Sequence, residues 1–135
     1  MAEIDYIAMR KKKIEEEFST IPCIYDAVIE EEIMVPMSDG AGMKTYIYRP
    51  DTPEPVPVLI QRGCYINELA MIPVYGRAFA QRGFGSVFQF CRGSGGSEGE
   101  WVPNVNERSD GMDCLNWLND QPWVESIDVY KRQMT

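Results

Sequence analysis

Residues 58–90, VLIQRGCYINELAMIPVYGRAFAQRGFGSVFQF, decide the fold. Val58-Leu59-Ile60 is a short unbroken apolar run, as expected for a strand covered on both faces of a parallel sheet. Arg62-Gly63-Cys64-Tyr65 leaves it as a loop. Pro73 suits the first turn of a helix, Val74, Ala78 and Phe79 fall on its inner side, and Gly83 supplies a left-handed cap. Residues 85–90 return as a second buried strand. Strand, loop, helix and strand in that order make a βαβ unit.

Upstream, residues 28–35 (VIEEEIMV) have apolar ends and an acidic middle, and Ser38-Asp39-Gly40 tolerates the backbone of a tight turn. Residues 43–48 alternate Met43, Thr45 and Ile47 with Lys44, Tyr46 and Tyr48, the period of a half-buried strand. A hairpin therefore precedes the βαβ unit. Pro50, Pro53, Pro55 and Pro57 make a stiff connector between them. Downstream, a helix fits between about residues 107 and 119, with Cys114, Leu115 and Leu118 on one stripe, Trp117 flanking it and Pro122 ending it. The fold class is α/β, a mixed sheet led by an antiparallel hairpin, with helices on its faces.

The N-terminal segment places Ile4, Ile7, Ala8, Ile14 and Phe18 near one helical face, while Lys11, Lys12 and Lys13 each face a glutamate four residues on. That pattern describes an amphipathic helix whose polar side is solvated, over a lead-in spanning 1–27. Lysine before glutamate is the weaker order against the helix dipole, so packing on a neighbour must supply most of its stability.

Composition narrows the function. The chain has 135 residues, 44% hydrophobic and 25% charged, which is ordinary for a globular domain with a packed core. It falls below the roughly 200–250 residues that many large-sheet enzymes use as one domain. A net charge of −8, and no lysine between Lys44 and Lys131, disfavour nucleic acid and anionic membranes as partners. No signal peptide or transmembrane run is readable, so a cytoplasmic location is expected.

Cys23, Cys64, Cys91 and Cys114 lie far apart with no Cys-x-x-Cys pair, and the sequence has no histidine to complete a zinc site. Free, mostly buried thiols are expected. Arg62 and Arg92 sit beside Cys64 and Cys91 and could lower a thiolate pKa, yet a cysteine hydrolase normally needs a histidine base. The glycine-rich stretch Arg92-Gly93-Ser94-Gly95-Gly96-Ser97-Glu98-Gly99-Glu100 fails as a phosphate loop. A Walker loop needs lysine followed by Ser or Thr, and a dinucleotide fingerprint starting at Gly93 needs Gly or Ala where Glu98 stands. It is better read as an ordered loop in which Glu98 and Glu100 could pair with Arg92 or Arg108.

An ordered series of motifs resembles the N-terminal part of the catalytic domain in the cocaine esterase and X-prolyl dipeptidyl-peptidase family (CocE/NonD type) of α/β-hydrolases. It begins at Met34-Val35-Pro36-Met37-Ser38-Asp39-Gly40 and passes through Tyr48-Arg49-Pro50, Pro57-Val58-Leu59-Ile60 and Tyr65. It continues in the glycine loop and ends in Asp110-Gly111-Met112-Asp113, Trp117-Leu118 and Gln121-Pro122-Trp123. The resemblance implies a serine hydrolase acting on a small ester or peptide without metal or organic cofactor. Tyr65 matches the family tyrosine whose hydroxyl helps hold the oxyanion. The family's nucleophilic serine, on a Gly-x-Ser-Tyr-x-Gly elbow one strand beyond the last helix, is not in the chain, nor are the later aspartate and histidine. Ser94 and Ser97 are not at the elbow position. Two residues depart from the family pattern: Phe90 stands where an acid often precedes the loop arginine, and Cys64 replaces a common proline.

The tail Asp128-Val129-Tyr130-Lys131-Arg132-Gln133 differs from the family's glycine-bearing continuation. It matches one reading-frame translation of the transposon end used in preparing DNA sequencing libraries. The expected organisation is 1–27 lead-in, 28–127 N-terminal part of a hydrolase domain and 128–135 a non-native tail. Ending there should leave a sheet edge bare that the nucleophile strand would cover, and the chain should be inactive by itself. The rival reading is a short non-catalytic α/β module that binds a protein or ligand.

Overall fold

The computed structural model describes residues 5–102 and 105–129. Five strands form one mixed sheet in the order β1-β2-β4-β3-β5. Strands β1 (Val28–Pro36) and β2 (Gly42–Pro50) make the expected hairpin, in register from Val28 opposite Pro50 to Pro36 opposite Gly42. Strand β2 then pairs antiparallel with β4 (Gly85–Phe90), and β4 parallel with β3 (Val56–Gly63). On the far side of β3 lies β5 (Val124–Val129), also parallel. The β3 edge is therefore occupied, contrary to the bare edge expected from the sequence. The segment beginning at Val124 pairs along Val56–Ile60 and takes Asp128 and Val129 with it.

Handedness explains where the helices go. From β3 the chain steps one way to reach β4 through α2 (Ile72–Gln81); from β4 it steps back past β3 to reach β5 through α3 (Glu107–Asn119). Right-handed crossovers in opposite directions place their helices on opposite faces. On the α3 side, Ile47, Val58, Ile60 and Val87 pack against Cys114 and Leu118, with Trp117 and Trp123 at the margin. On the α2 side, Tyr48, Phe88 and Phe90 pack against Ile72 and Ala80. Strand β2 is thus covered on both faces, not half-buried as its alternation predicts, because Tyr48 lies under α2 while Met43, Thr45 and Ile47 are fully buried opposite.

The phase of α2 also differs from the sequence reading. Its buried residues are Ile72, Gly76 and Ala80, and Val74, Ala78 and Phe79 are only half-buried. The reason is Gly76, which lets the helix settle directly onto the ring of Tyr48; a Cβ there would overlap that ring. Gly83 follows with φ +94, the expected left-handed residue. The strand before this helix starts at Val56, two residues earlier than the apolar run suggested. Pro57 sits at a register shift in the β3–β5 pairing, where its missing N–H is tolerated.

Helix α1 (Tyr6–Phe18) starts on Asp5, whose carboxylate accepts from the Ala8 N–H at 3.0 Å. Ile14 is buried, Phe18 meets Phe79 edge-on at 5.1 Å between centroids, and the Arg82 guanidinium lies 5.0 Å over the Phe18 ring. Ala8 is exposed, and Ile4 lies outside the described residues. The acidic middle of β1 is balanced residue by residue: Glu30 pairs with Arg77, Glu31 with Arg49 at 3.1 Å and Glu32 with Lys44 at 2.6 Å.

Because Tyr48 is packed under α2 and cannot retreat freely, Gly76→Ala is expected to destabilise the chain by about 1–3 kcal/mol despite alanine's better helix propensity. Urea unfolding followed by circular dichroism measures this; a stabilised variant would show that α2 does not rest on Tyr48.

Candidate active site

The loops after β3 and β4 leave the sheet side by side and diverge to opposite faces, the arrangement that opens a crevice at the carboxyl ends of parallel strands. The first loop holds Cys64 and Tyr65, then a single 3₁₀ segment, Ile66–Ala70. Tyr65 is 52% exposed at this edge, followed by exposed Ile66 and Leu69. The second loop presents Trp101, Val102 and Val105, also exposed. An open cleft of about 230 Å³ lies elsewhere, on the α2 face between Phe18, Leu59, Tyr75 and Phe88.

The glycine loop is tied down throughout. Gly93 N–H donates to the Glu98 carbonyl at 3.0 Å, closing the loop on itself, and Glu98 N–H donates to the Gly42 carbonyl at 2.8 Å. The Ser97 hydroxyl donates to the Phe90 carbonyl at 2.7 Å and accepts from the Lys44 N–H at 2.8 Å. The Ser94 hydroxyl is likewise spent on the Cys91 carbonyl at 2.7 Å. Gly93 has φ +76, and a Cβ there would overlap the Trp101 amide nitrogen, so only glycine fits. These are structural roles, as the ordered-loop reading expected.

The partners of Arg92 differ from those expected. Its Nε and Nη2 form a bidentate pair with Asp110 at 2.9 and 2.8 Å, and its Nη1 reaches Asp39 at 3.0 Å. Asp110 is 1% exposed. Glu98 instead uses its carboxylate to accept the Gly42 N–H at 2.6 Å, and Glu98 and Glu100 form no ion pair among the described residues. The hydrogen bonds that Arg92 donates to Asp110 and then to Asp39 push its pKa further up. In return Arg92 holds the Asp39 carboxyl below its usual range, and the Ser38 N–H and hydroxyl do the same for Asp113. Both aspartates sit in motifs that were legible. Their pairing was not, because 53 and 18 residues separate Asp39 and Asp110 from Arg92.

Beneath the Tyr65 edge runs a second polar chain. Arg62 Nε donates to Gln89 Oε1 at 2.9 Å and Nη1 to Glu107 Oε2 at 2.8 Å, while its Nη2 is buried without a partner. Fully buried Gln89 donates onward to Thr45 Oγ1 at 3.0 Å. Cys91 Sγ donates to the same Glu107 oxygen at 3.4 Å. Burial pushes the Cys91 thiol up to about 12 and the Cys114 thiol to about 11, which makes both poor nucleophiles. Two of the four thiols, Cys91 and Cys114, are buried; Cys64 is half-buried and Cys23 exposed, so fewer are hidden than expected.

No helix among the described residues is long and apolar enough to cross a membrane, and no cluster of three metal-ligating side chains occurs among them. At the edge itself the exposed side chain of Tyr65 follows the strand that carries Arg62.

A mixed sheet in this order, with helices crossing on opposite faces and loops converging at the carboxyl ends, is the front half of an α/β-hydrolase fold. Solved structures bear this out. An α-amino acid ester hydrolase aligns with TM-score 0.63 at 23% identity over 80% of this chain and 22% of that one. A CocE/NonD family hydrolase from Staphylococcus aureus aligns with TM-score 0.61 at 21% identity over 76% and 22%. In sequence, the cocaine esterase of Rhodococcus sp. (strain MB1 Bresler) is 36% identical over 101 residues, 72% of this chain and 18% of the esterase. Residues 39–126 match the X-Pro dipeptidyl-peptidase (S15) family, and the chain belongs to that family of serine hydrolases. It spans about a fifth of the length of these relatives.

Asp110→Asn removes the buried charge opposite Arg92 and leaves the guanidinium with only the exposed Asp39 as an ionic partner. Asp110→Asn is accordingly expected to cost about 3 kcal/mol, and Asp39→Asn, on an exposed carboxylate, distinctly less. Urea midpoints for the two variants test the ranking; equal losses would contradict it. The lowered carboxyls of Asp39, Asp113 and Glu30 give a pH prediction as well. A carboxyl with a depressed folded-state pKa contributes stability above its unfolded value and loses it as pH falls through the folded one. The urea midpoint should therefore drop on acidification below about pH 4.

Proposed function

We propose that this chain is the N-terminal part of a serine hydrolase that cleaves ester or amide bonds, of the acyl esterase or X-Pro dipeptidyl-peptidase kind. The observation that supports this reading is the position of Tyr65. It stands exposed immediately past β3, at the edge where the glycine loop also emerges. β5 runs parallel to β3, so a chain continuing from it emerges at that same edge. A serine on an elbow there would lie beside the strand that carries Tyr65.

In the proposed mechanism the Tyr65 hydroxyl and a backbone amide donate to the oxyanion of the tetrahedral intermediate. The serine, general base and orienting aspartate come from sequence beyond residue 127, and water releases the acyl group. Without histidine anywhere in its 135 residues, the chain alone has no such base and should be inactive. The substrate class is a small ester or peptide, and the proposed location is the cytoplasm.

Sequencing the source DNA through the codons for residues 127–135 and onward tests the reading. The expected result is a frame that enters a Gly-x-Ser-Tyr-x-Gly elbow followed by the missing aspartate and histidine. A natural stop codon after Thr135 would make the chain a binding module instead. In the hydrolase so recovered, Tyr65→Phe should lower kcat by about 10²-fold with little change in KM. An unchanged kcat would remove Tyr65 from the oxyanion site.

A further inference from the structure

We propose that Cys64 and Cys91 form a reversible disulfide that ties the two edge loops together next to Tyr65. Strands β3 and β4 are in parallel register through Arg62 opposite Gln89 and Gly63 opposite Phe90. The Cys91 N–H donates to the Gly63 carbonyl at 2.9 Å, which carries the ladder one step further and makes Cys64 and Cys91 the next rung. Side chains alternate along a strand, so Cys64 shares a face with Arg62, and Cys91 with Gln89. The preceding rung on that face is in direct contact, since Arg62 Nε reaches Gln89 Oε1 at 2.9 Å. The Cys91 sulfur lies on this face too, 3.4 Å from Glu107. Adjacent strands are about 4.8 Å apart, inside the roughly 4.4–6.8 Å that a disulfide requires between Cα atoms.

The two thiols are unequal in a way that orders the chemistry. Half-buried Cys64 meets an oxidant first, whereas Cys91 is buried. With hydrogen peroxide as oxidant, the Cys64 thiol loses its proton, its sulfur takes one peroxide oxygen as the O–O bond breaks to give a sulfenic acid, and the departing hydroxide picks up that proton and leaves as water. The Cys91 thiol gives its proton to Glu107, its sulfur attacks the Cys64 sulfur, and the displaced hydroxide leaves as water with that proton. Two thiols and one peroxide thus yield one disulfide and two waters. The cross-link itself is independent of the hydrolase reading; only its consequence, restraint of the loop that presents Tyr65, rests on that reading.

The test uses the 135-residue chain under native conditions. It is treated with hydrogen peroxide, its remaining thiols are alkylated, and the digest is mapped by mass spectrometry, beside a sample oxidised in urea. The expected product joins the Cys64 and Cys91 peptides, is lost on adding dithiothreitol, and dominates over the pairings found in urea. In Cys91→Ser, Cys64 should run on to sulfinic acid. The proposal is overturned if wild-type Cys64 ends as sulfinic acid while Cys91 stays a thiol, or if native pairings match those in urea. Because the readout is a peptide map, failure of the hydrolase reading leaves this result intact.

Discussion

The bidentate pair between Arg92 and Asp110 joins parts of the chain that lie far apart in sequence. Arg92 leaves the end of β4, Asp110 sits in the first turn of α3, and Asp39 adds the hairpin turn between β1 and β2. Asp110 is almost wholly buried, so its charge is tolerable only opposite a guanidinium that satisfies both of its oxygens. A buried pair of this kind adds little net stability over a well-packed apolar substitute. Its contribution is positional. It fixes where α3 begins relative to the strand edge, and the glycine loop must fold tightly enough to let Arg92 reach both acids.

The rest of the edge follows from that constraint. With α3 anchored at its start, Glu107 is presented to Arg62, and Arg62 is held between α3 and Gln89 on β4. Gln89 passes the chain to Thr45, so β2, β4, β3 and α3 share one polar layer across the top of an otherwise apolar core. This layer lies directly under the loop bearing Tyr65. An exposed tyrosine can act as an oriented donor only if the strand beneath it is rigid, and here the rigidity comes from side chains that face inward.

What the sequence made legible was local. The hairpin, the βαβ unit and the bounds of α3 follow from periodicity, proline and glycine, because each signal is completed within a dozen or so residues. The phase of α2 was not legible, since the choice of Gly76 over Val74 as the inward residue depends on Tyr48, a residue from a different strand. Nor were the partners of Arg92. Glu98 and Glu100 were nearer in sequence, but the closed loop turns the Glu98 carboxylate onto the Gly42 amide, and the arginine finds its acids on α3 and in the hairpin turn. Tyr65 came from resemblance to a family, and no periodic pattern would have singled it out.

Cys91 shows how one residue can serve both the layer and the edge. Its thiol closes the polar chain by donating to Glu107, which Arg62 already engages, and burial, with the Glu107 charge adding to it, keeps the sulfur protonated in the resting fold. The same contact gives that proton somewhere to go once a neighbouring sulfur has been oxidised, because the acceptor carboxylate is already in place. Cys64 stands where the family pattern commonly has proline, a residue that would stiffen the loop before Tyr65. A cysteine there gives up that fixed stiffness. In its place, the loop gains a restraint that exists only when the sulfur is joined to its neighbour across the strands, so that the rigidity under Tyr65 depends on the oxidation state of the rung beside it.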